Sequence, residues 1–113
     1  MTRKLTYLAT PYTHHSGHVR YKRFACVTKV MADLMRAGEL VYSPISMTHH
    51  AAVAHGLPHD FAFWAEHCRA VLLCCSKLIV LKLDGWDHSV GVAAEITLAK
   101  EMQIPIEFIE WEG

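Results

Sequence analysis

Lys77 to Ala99 reads KLIVLKLDGWDHSVGVAAEITLA, and this stretch decides the fold class. KLIVLKL is apolar on both alternating faces, the pattern of a strand buried on each side in a parallel sheet. Asp84 and Gly85 end it in a turn, Trp86 follows on a loop, and Ser89 supplies a natural N-cap. From there a helical pattern runs to about Met102. A doubly buried strand feeding straight into a capped helix is one half of a β-α-β unit.

The rest of the chain repeats that alternation. Lys4 to Thr10 is a β-branched and aromatic run closed by Pro11, which predicts a first strand and a turn. From about His18 to Ala37 the pattern is helical, with Val19, Phe24, Val27, Val30, Met31 and Leu34 on one apolar face and Gly38 at the C-terminal cap position. Leu40 to Ser43 is a short second strand stopped by Pro44. Ile45 to Pro58 is a connection rich in His and Ala with room for a short helix. His59 to about Cys75 reads as a long helix, and Ile104 to Ile109 as a last strand whose Pro105 suits an edge or an opening position.

Together these segments predict one α/β domain over residues 1–113. Its expected form is a three-layer, flavodoxin- or Rossmann-like arrangement, with a small parallel sheet of about four to five strands and helices on both faces. Ligands in such sheets bind beyond the carboxyl ends of the strands, where the strand order reverses. The segments to search are therefore Thr10 to His18, Ser43 to Met47 and Asp84 to Gly91.

Composition excludes several classes. Of the 113 residues, 52 % are apolar and 19 % charged, with zero formal net charge. That balance supports a packed core and provides no global field for a nucleic-acid polymer or an anionic membrane. No run approaches the roughly 18 apolar residues of a membrane span, and the N-terminus reads as a strand and not a signal peptide. Cys26, Cys68, Cys74 and Cys75 have neither C-x-x-C nor secreted-type spacing, so free thiols in a reducing cytoplasm are expected. Nine histidines raise the question of a metal. They form no H-E-x-x-H motif and no cluster with carboxylate or thiolate support, so no metal site is expected. His49, His50 and His55 are instead expected to line a pocket edge or pack at a subunit contact.

The helix after Ser89 carries the chemistry. Free N–H groups at its start favour an anion, by about 0.3–1 kcal/mol in ordinary surface settings. Gly91 costs that helix about 1 kcal/mol against alanine, so something is expected to approach its backbone closely. Glu95 follows one turn later on an apolar stripe. A glutamate at the rim of a helix would produce the same spacing. A buried one would have its pKa raised by desolvation and lowered by a neighbouring hydroxyl.

S-x-G-x-x-x-E behind a strand ending in D-G resembles the signature of the nucleoside 2-deoxyribosyltransferase superfamily. K-L-T-Y-L-A-T-P-Y looks like that superfamily's first strand. S-P-I-x-x-x-H-H and D-G-W-x-x-S-x-G-V-x-x-E-I look like an uncharacterised bacterial branch of it. The resemblance covers nearly the whole chain, in order. It implies an N-glycosidase in which Glu95 is the nucleophile and Tyr7 its hydroxyl partner, with Gly91 leaving room for the ribose. Pro11 and Tyr12, closing the first strand, fall among the implied substrate-binding residues. Ser89 stands where the transferases carry an acid. The similar 2′-deoxynucleoside 5′-phosphate N-hydrolases have serine there and use it to hold phosphate, which favours a nucleoside monophosphate over a free nucleoside. Arg20 or Ser16 in the first loop would help hold that phosphate, or else form a solvated basic loop.

In one place the chain departs from the pattern. The transferases carry a base-contacting aspartate on the helix before the third strand. Counting back from Glu95, that position falls at His67, Cys68 and Arg69, none of them acidic. His67, Asp84 or Asp87 would then have to protonate the leaving base. Trp86 would stack on that base or cap the third strand. The resemblance implies no cofactor, a small-molecule nucleotide or nucleoside as partner, and a homodimer or homotetramer. The competing reading is a non-catalytic nucleotide-binding module of the same fold.

Overall fold

The computed structural model describes residues 4–112. Its elements run β1 (Leu5–Ala9), α1 (Gly17–Arg36), β2 (Leu40–Tyr42), α2 (Pro44–His55), α3 (Phe61–Leu72), β3 (Lys77–Lys82), a 3₁₀ turn (Trp86–His88), α4 (Val90–Glu101) and β4 (Ile106–Glu110). The four strands form one sheet in the order β2-β1-β3-β4. Every pairing is parallel, with Tyr7 beside Tyr42 on one side and Leu78 on the other. This is the three-layer α/β architecture that the alternation of strand and helix predicts.

Side-chain alternation divides the core into two layers. Tyr7, Ala9, Leu78 and Val80 face one way and pack with Leu72 of α3 and Val92, Leu98 and Ala99 of α4. Leu8, Ile79 and Leu81 face the other way and pack with Val27 of α1, backed by Val30, Met31 and Leu34. The helix face expected from Val27 to Leu34 is therefore the buried one. Gly38 has φ +96°, a left-handed conformation at the end of α1 that only glycine adopts without strain. Pro105 precedes the edge strand β4, where its missing N–H costs no ladder bond.

Two boundaries differ from expectation. The connection expected after β2 is largely α2, a helix of 12 residues. The Ser43 hydroxyl caps it by accepting from the Ser46 N–H at 3.2 Å, Pro44 opens the first turn, and Gly56 at φ 65° ends it. The next helix is correspondingly shorter than His59 to Cys75, starting only after Asp60 and ending at Leu72.

The order of the sheet fixes where a ligand can enter. From β1 the chain passes through α1 to β2 on one side, then crosses back to β3 on the other. The carboxyl ends of β1 and β3 thus flank a switch point, and the loops after them diverge to opposite faces. Among the described residues, no helix is long and apolar enough to cross a membrane.

Candidate functional site

A cavity of about 410 Å³ opens at that switch point. This lies within the range of small-molecule sites, about 300–1,000 Å³. Its floor is Ala9 and Thr10 from the end of β1. One wall is Ser89, Val90, Gly91 and Glu95 of the α4 segment. The opposite elements contribute Pro44, Thr48 and His49 of α2, and Asp60, Phe61, Trp64, His67 and Cys68 of the α3 segment.

Glu95 is buried, 8 % exposed, although it is a carboxylate. The Tyr7 hydroxyl, itself fully buried, donates a hydrogen bond to Glu95 Oε2. Burial pushes the Glu95 carboxyl up to about 7, while the Tyr7 bond pulls it down. Tyr7 is held strongly in its protonated form, first by burial and then by the adjacent Glu95 charge. The phenol therefore remains a donor and the carboxylate an acceptor. The Cys68 thiol lies against the same pair and is pushed up by burial, so it stays protonated. The cavity wall thus contains a buried carboxylate with one hydroxyl holding it in place.

The α4 segment brings an anion-favouring end to the same cavity. The Ser89 hydroxyl accepts from the Val92 N–H at 3.2 Å and so caps the helix. Gly91 lines the cavity and also has a close neighbour on α3. A Cβ there would lie 2.9 Å from Phe61 Cδ1, so it is the Phe61 ring that needs the missing side chain. Gly91→Ala is therefore expected to destabilise the fold by about 1 kcal/mol, overpacking outweighing the gain in helix propensity. In a Phe61→Ala background the same change should stabilise instead. Urea denaturation of the four proteins measures this, and a gain from Gly91→Ala beside an intact Phe61 would show that the ring yields freely.

Of the residues singled out by sequence, Glu95, Ser89, Gly91, Tyr12 and His67 line the cavity, and Tyr7 reaches it through Glu95. Five others have different surroundings. Pro11 is buried behind the strand end and outside the lining. The Arg20 guanidinium donates to the His14 carbonyl and lies beside the Tyr12 hydroxyl. Asp84 is exposed, and its carbonyl accepts from Arg23 Nη2 at 3.2 Å. Trp86 turns to the sheet edge, with Phe108 at 5.6 Å between ring centroids and Lys82 Nζ 5.6 Å from the ring centre. It caps the third strand, the second of the two roles expected for it. Ser16 caps α1 through the Val19 N–H at 3.3 Å.

Other cavity residues escaped the sequence reading. Asp60 is the N-terminal flanking residue of α3, and its carboxylate makes no capping hydrogen bond. It is exposed and lines the cavity, which gives the cavity wall a carboxylate at the start of α3. Counting back from Glu95 reaches His67 and Cys68, which line the same cavity, but not the helix start that carries Asp60. The H-D-F boundary before the apolar run was the available signal. His49, expected at a pocket edge, is buried at 6 % exposure and bonds Tyr12 Oη through Nδ1 at 2.7 Å. Its ring stacks on Phe24 at 4.2 Å, and burial pushes its pKa down. His50 and His55 lie outside the lining. Among the described residues, no three His, Cys, Asp or Glu side chains converge as a metal site.

Comparison with curated proteins gives no match. Residues 4–111 match a family described as a domain of unknown function, DUF1937. That match takes in every strand and helix and every residue of the cavity, so the chain belongs to the DUF1937 family.

Proposed function

We propose that this protein is a nucleotide N-glycosidase that cleaves the base–sugar bond through a covalent glycosyl-Glu95 intermediate. The observation that carries the reading is the buried Tyr7–Glu95 pair in the wall of a nucleotide-sized cavity at the switch point of the sheet. A Glu95 oxygen attacks C1′ of the sugar, and the C1′–N bonding pair leaves with the base. The base takes a proton from an acid–base side chain of the cavity, for which Asp60 and His67 are the candidates. Water then attacks C1′ of the ester, giving its proton to the group that protonated the base, and the C1′–O bond to Glu95 breaks to free the carboxylate. Tyr7 holds the attacking carboxylate in one orientation throughout.

The start of α4 supports a 5′-monophosphate over a free nucleoside. Ser89 and the N–H groups behind it suit an anion, whereas a carboxylate at that position would repel one. The aromatic faces of Tyr12, Phe61 and Trp64 suit a planar base. Association into a homo-oligomer is supported by the exposed apolar side chains next to the cavity, Phe63 at 50 % and Val90 at 76 % exposure.

The test is incubation with ribo- and deoxyribonucleoside 5′-monophosphates and their nucleosides, with free base followed by chromatography. Base release from monophosphates, at least about tenfold faster than from the matching nucleosides, is the expected result. Saturable binding of intact nucleotide with no base released would instead mark a binding module. The absence of both release and binding would overturn the reading.

A further inference from the structure

His49 holds an uncommitted donor in the cavity wall. It is 6 % exposed and lines the same cavity as Glu95. Its Nδ1 lies 2.7 Å from Tyr12 Oη, and its ring stacks on Phe24 at an interplanar angle of 15°. These neighbours fix the tautomer. Arg20, beside the Tyr12 hydroxyl, has donors only, so the hydroxyl turns a lone pair to the guanidinium and its proton to Nδ1. Burial keeps the imidazole neutral, and its single proton therefore sits on Nε2. Nε2 has no hydrogen-bond partner among the described residues. It is also open to an incoming atom, because the one unpaired buried side-chain atom that solvent cannot reach is Thr10 Oγ1.

From this free N–H we infer that His49 is a specificity-determining residue whose Nε2 donates a hydrogen bond to an acceptor atom of the nucleobase. The inference rests on the N-glycosidase reading of the site and names a contact which that reading does not contain. On this side of the cavity the hydroxyl protons are spent within the protein. Thr13 donates to the His59 carbonyl at 2.8 Å, and Thr48 to the Pro44 carbonyl at 2.7 Å. Beside them α2 presents Ile45 and Ala52 to the cavity. One neutral donor in an apolar wall suits a single lone pair on a flat, largely apolar group, which describes the edge of a base. A phosphate dianion calls for several donors, and the start of α4 supplies them at Ser89. Glu95, which must meet C1′, stands on that same helix. A sugar phosphate lying along α4 therefore directs its base across the cavity, away from α4. Phe24 and Tyr12 hold the imidazole in one plane, so the N–H has one direction. A fixed donor of this kind discriminates against a base that lacks the matching acceptor.

The experiment compares His49→Asn, which keeps a group near Nδ1 for Tyr12 and has nothing at Nε2, with His49→Gln, which restores a donor at the Nε2 position. Both are made in a Glu95→Gln background, so that substrate stays intact. Calorimetry measures binding of adenosine, guanosine, cytidine and uridine 5′-monophosphates and of their nucleosides. For the base that binds most tightly, analogues lacking one ring nitrogen or one carbonyl are added. His49→Asn is expected to weaken binding of the parent ligands about three- to tenfold, with or without the phosphate. His49→Gln should bind like histidine, and the penalty should vanish for the analogue that lacks the partner acceptor. Nitrogen NMR of the Glu95→Gln protein carrying labelled histidine needs no change at His49. It should show the Nε2–H tautomer, with an Nε2 signal that moves when nucleotide is added. An equal penalty on every base analogue, or none, overturns the assignment of His49 while nucleotide binding leaves the site reading standing. A penalty lost on removing the phosphate overturns it in favour of a phosphate contact. An Nδ1–H tautomer, or an Nε2 signal indifferent to nucleotide, overturns it even where neither variant folds. Failure of the Glu95→Gln protein to bind any of these ligands overturns the site reading, and this inference with it.

Discussion

Glu95→Ala is expected to lower base release by roughly 10⁴-fold or more, to the level of the residual positioning effects of the site. The size follows from the role: a covalent nucleophile opens the reaction path, and its loss leaves only binding. Two further outcomes distinguish this role from a structural one. Mass spectrometry of protein quenched during turnover should show the added mass of one sugar phosphate on the peptide containing Glu95, and nothing on the alanine variant. The rate should also rise with pH through about 7, because Glu95 must be ionised to attack and burial has pushed it up to that value. A rate insensitive to Glu95→Ala would remove the mechanism entirely.

The second large effect concerns stability. Glu95→Gln should stabilise the protein above neutral pH and do little at pH 5. The sign follows from proton counting. The folded protein holds the Glu95 proton up to about pH 7, whereas an unfolded glutamate loses it near its ordinary value of about 4.5. Between those values the native state binds more protons, so stability falls as pH rises. The full cost of ionising the buried group is present above pH 7 and amounts to about 3 kcal/mol. Glutamine keeps the shape and the contact with Tyr7 without the charge, so it escapes that cost. Thermal melts of both proteins at pH 5 and pH 8 measure the difference, expected as an upward shift of about 10–15 °C at pH 8 and little at pH 5. A shift of the same size at both values would show that packing, and not charge, distinguishes the two side chains.

That glutamate could be found from the sequence because it violated a pattern. A carboxylate on the apolar stripe of α4, one turn beyond Gly91 and after a serine cap, lies either at the helix rim or in the core, and the structure buries it. The strands were equally legible, since KLIVLKL and the run from Lys4 carry their burial in their composition. Helix α2 was less so. Its Ser43-Pro44 start and Gly56 end are written in the chain, but its apolar residues make no clear face, and periodicity was the sign sought. Asp60 was missed for a related reason, because the start of α3 depends on where α2 stops. The direction of Trp86 could not be read at all. A loop tryptophan beside a site can turn either way, and only the neighbouring edge strand with Phe108 and the nearby Lys82 decide it. Gly91 was correctly read as a close approach, but the approaching group, Phe61, is 30 positions away in the chain.

The place of β1 in the sheet has a dynamic consequence. β1 is hydrogen-bonded on both sides, to β2 and to β3, while β2 and β4 form the edges. Edges fray at little cost, but an inner strand is released only when most of the domain opens. Tyr7 is therefore anchored in the slowest-exchanging part of the molecule. The groups that position the carboxylate are thereby shielded from local fluctuation, and whatever motion admits a substrate must come from the helices around the cavity.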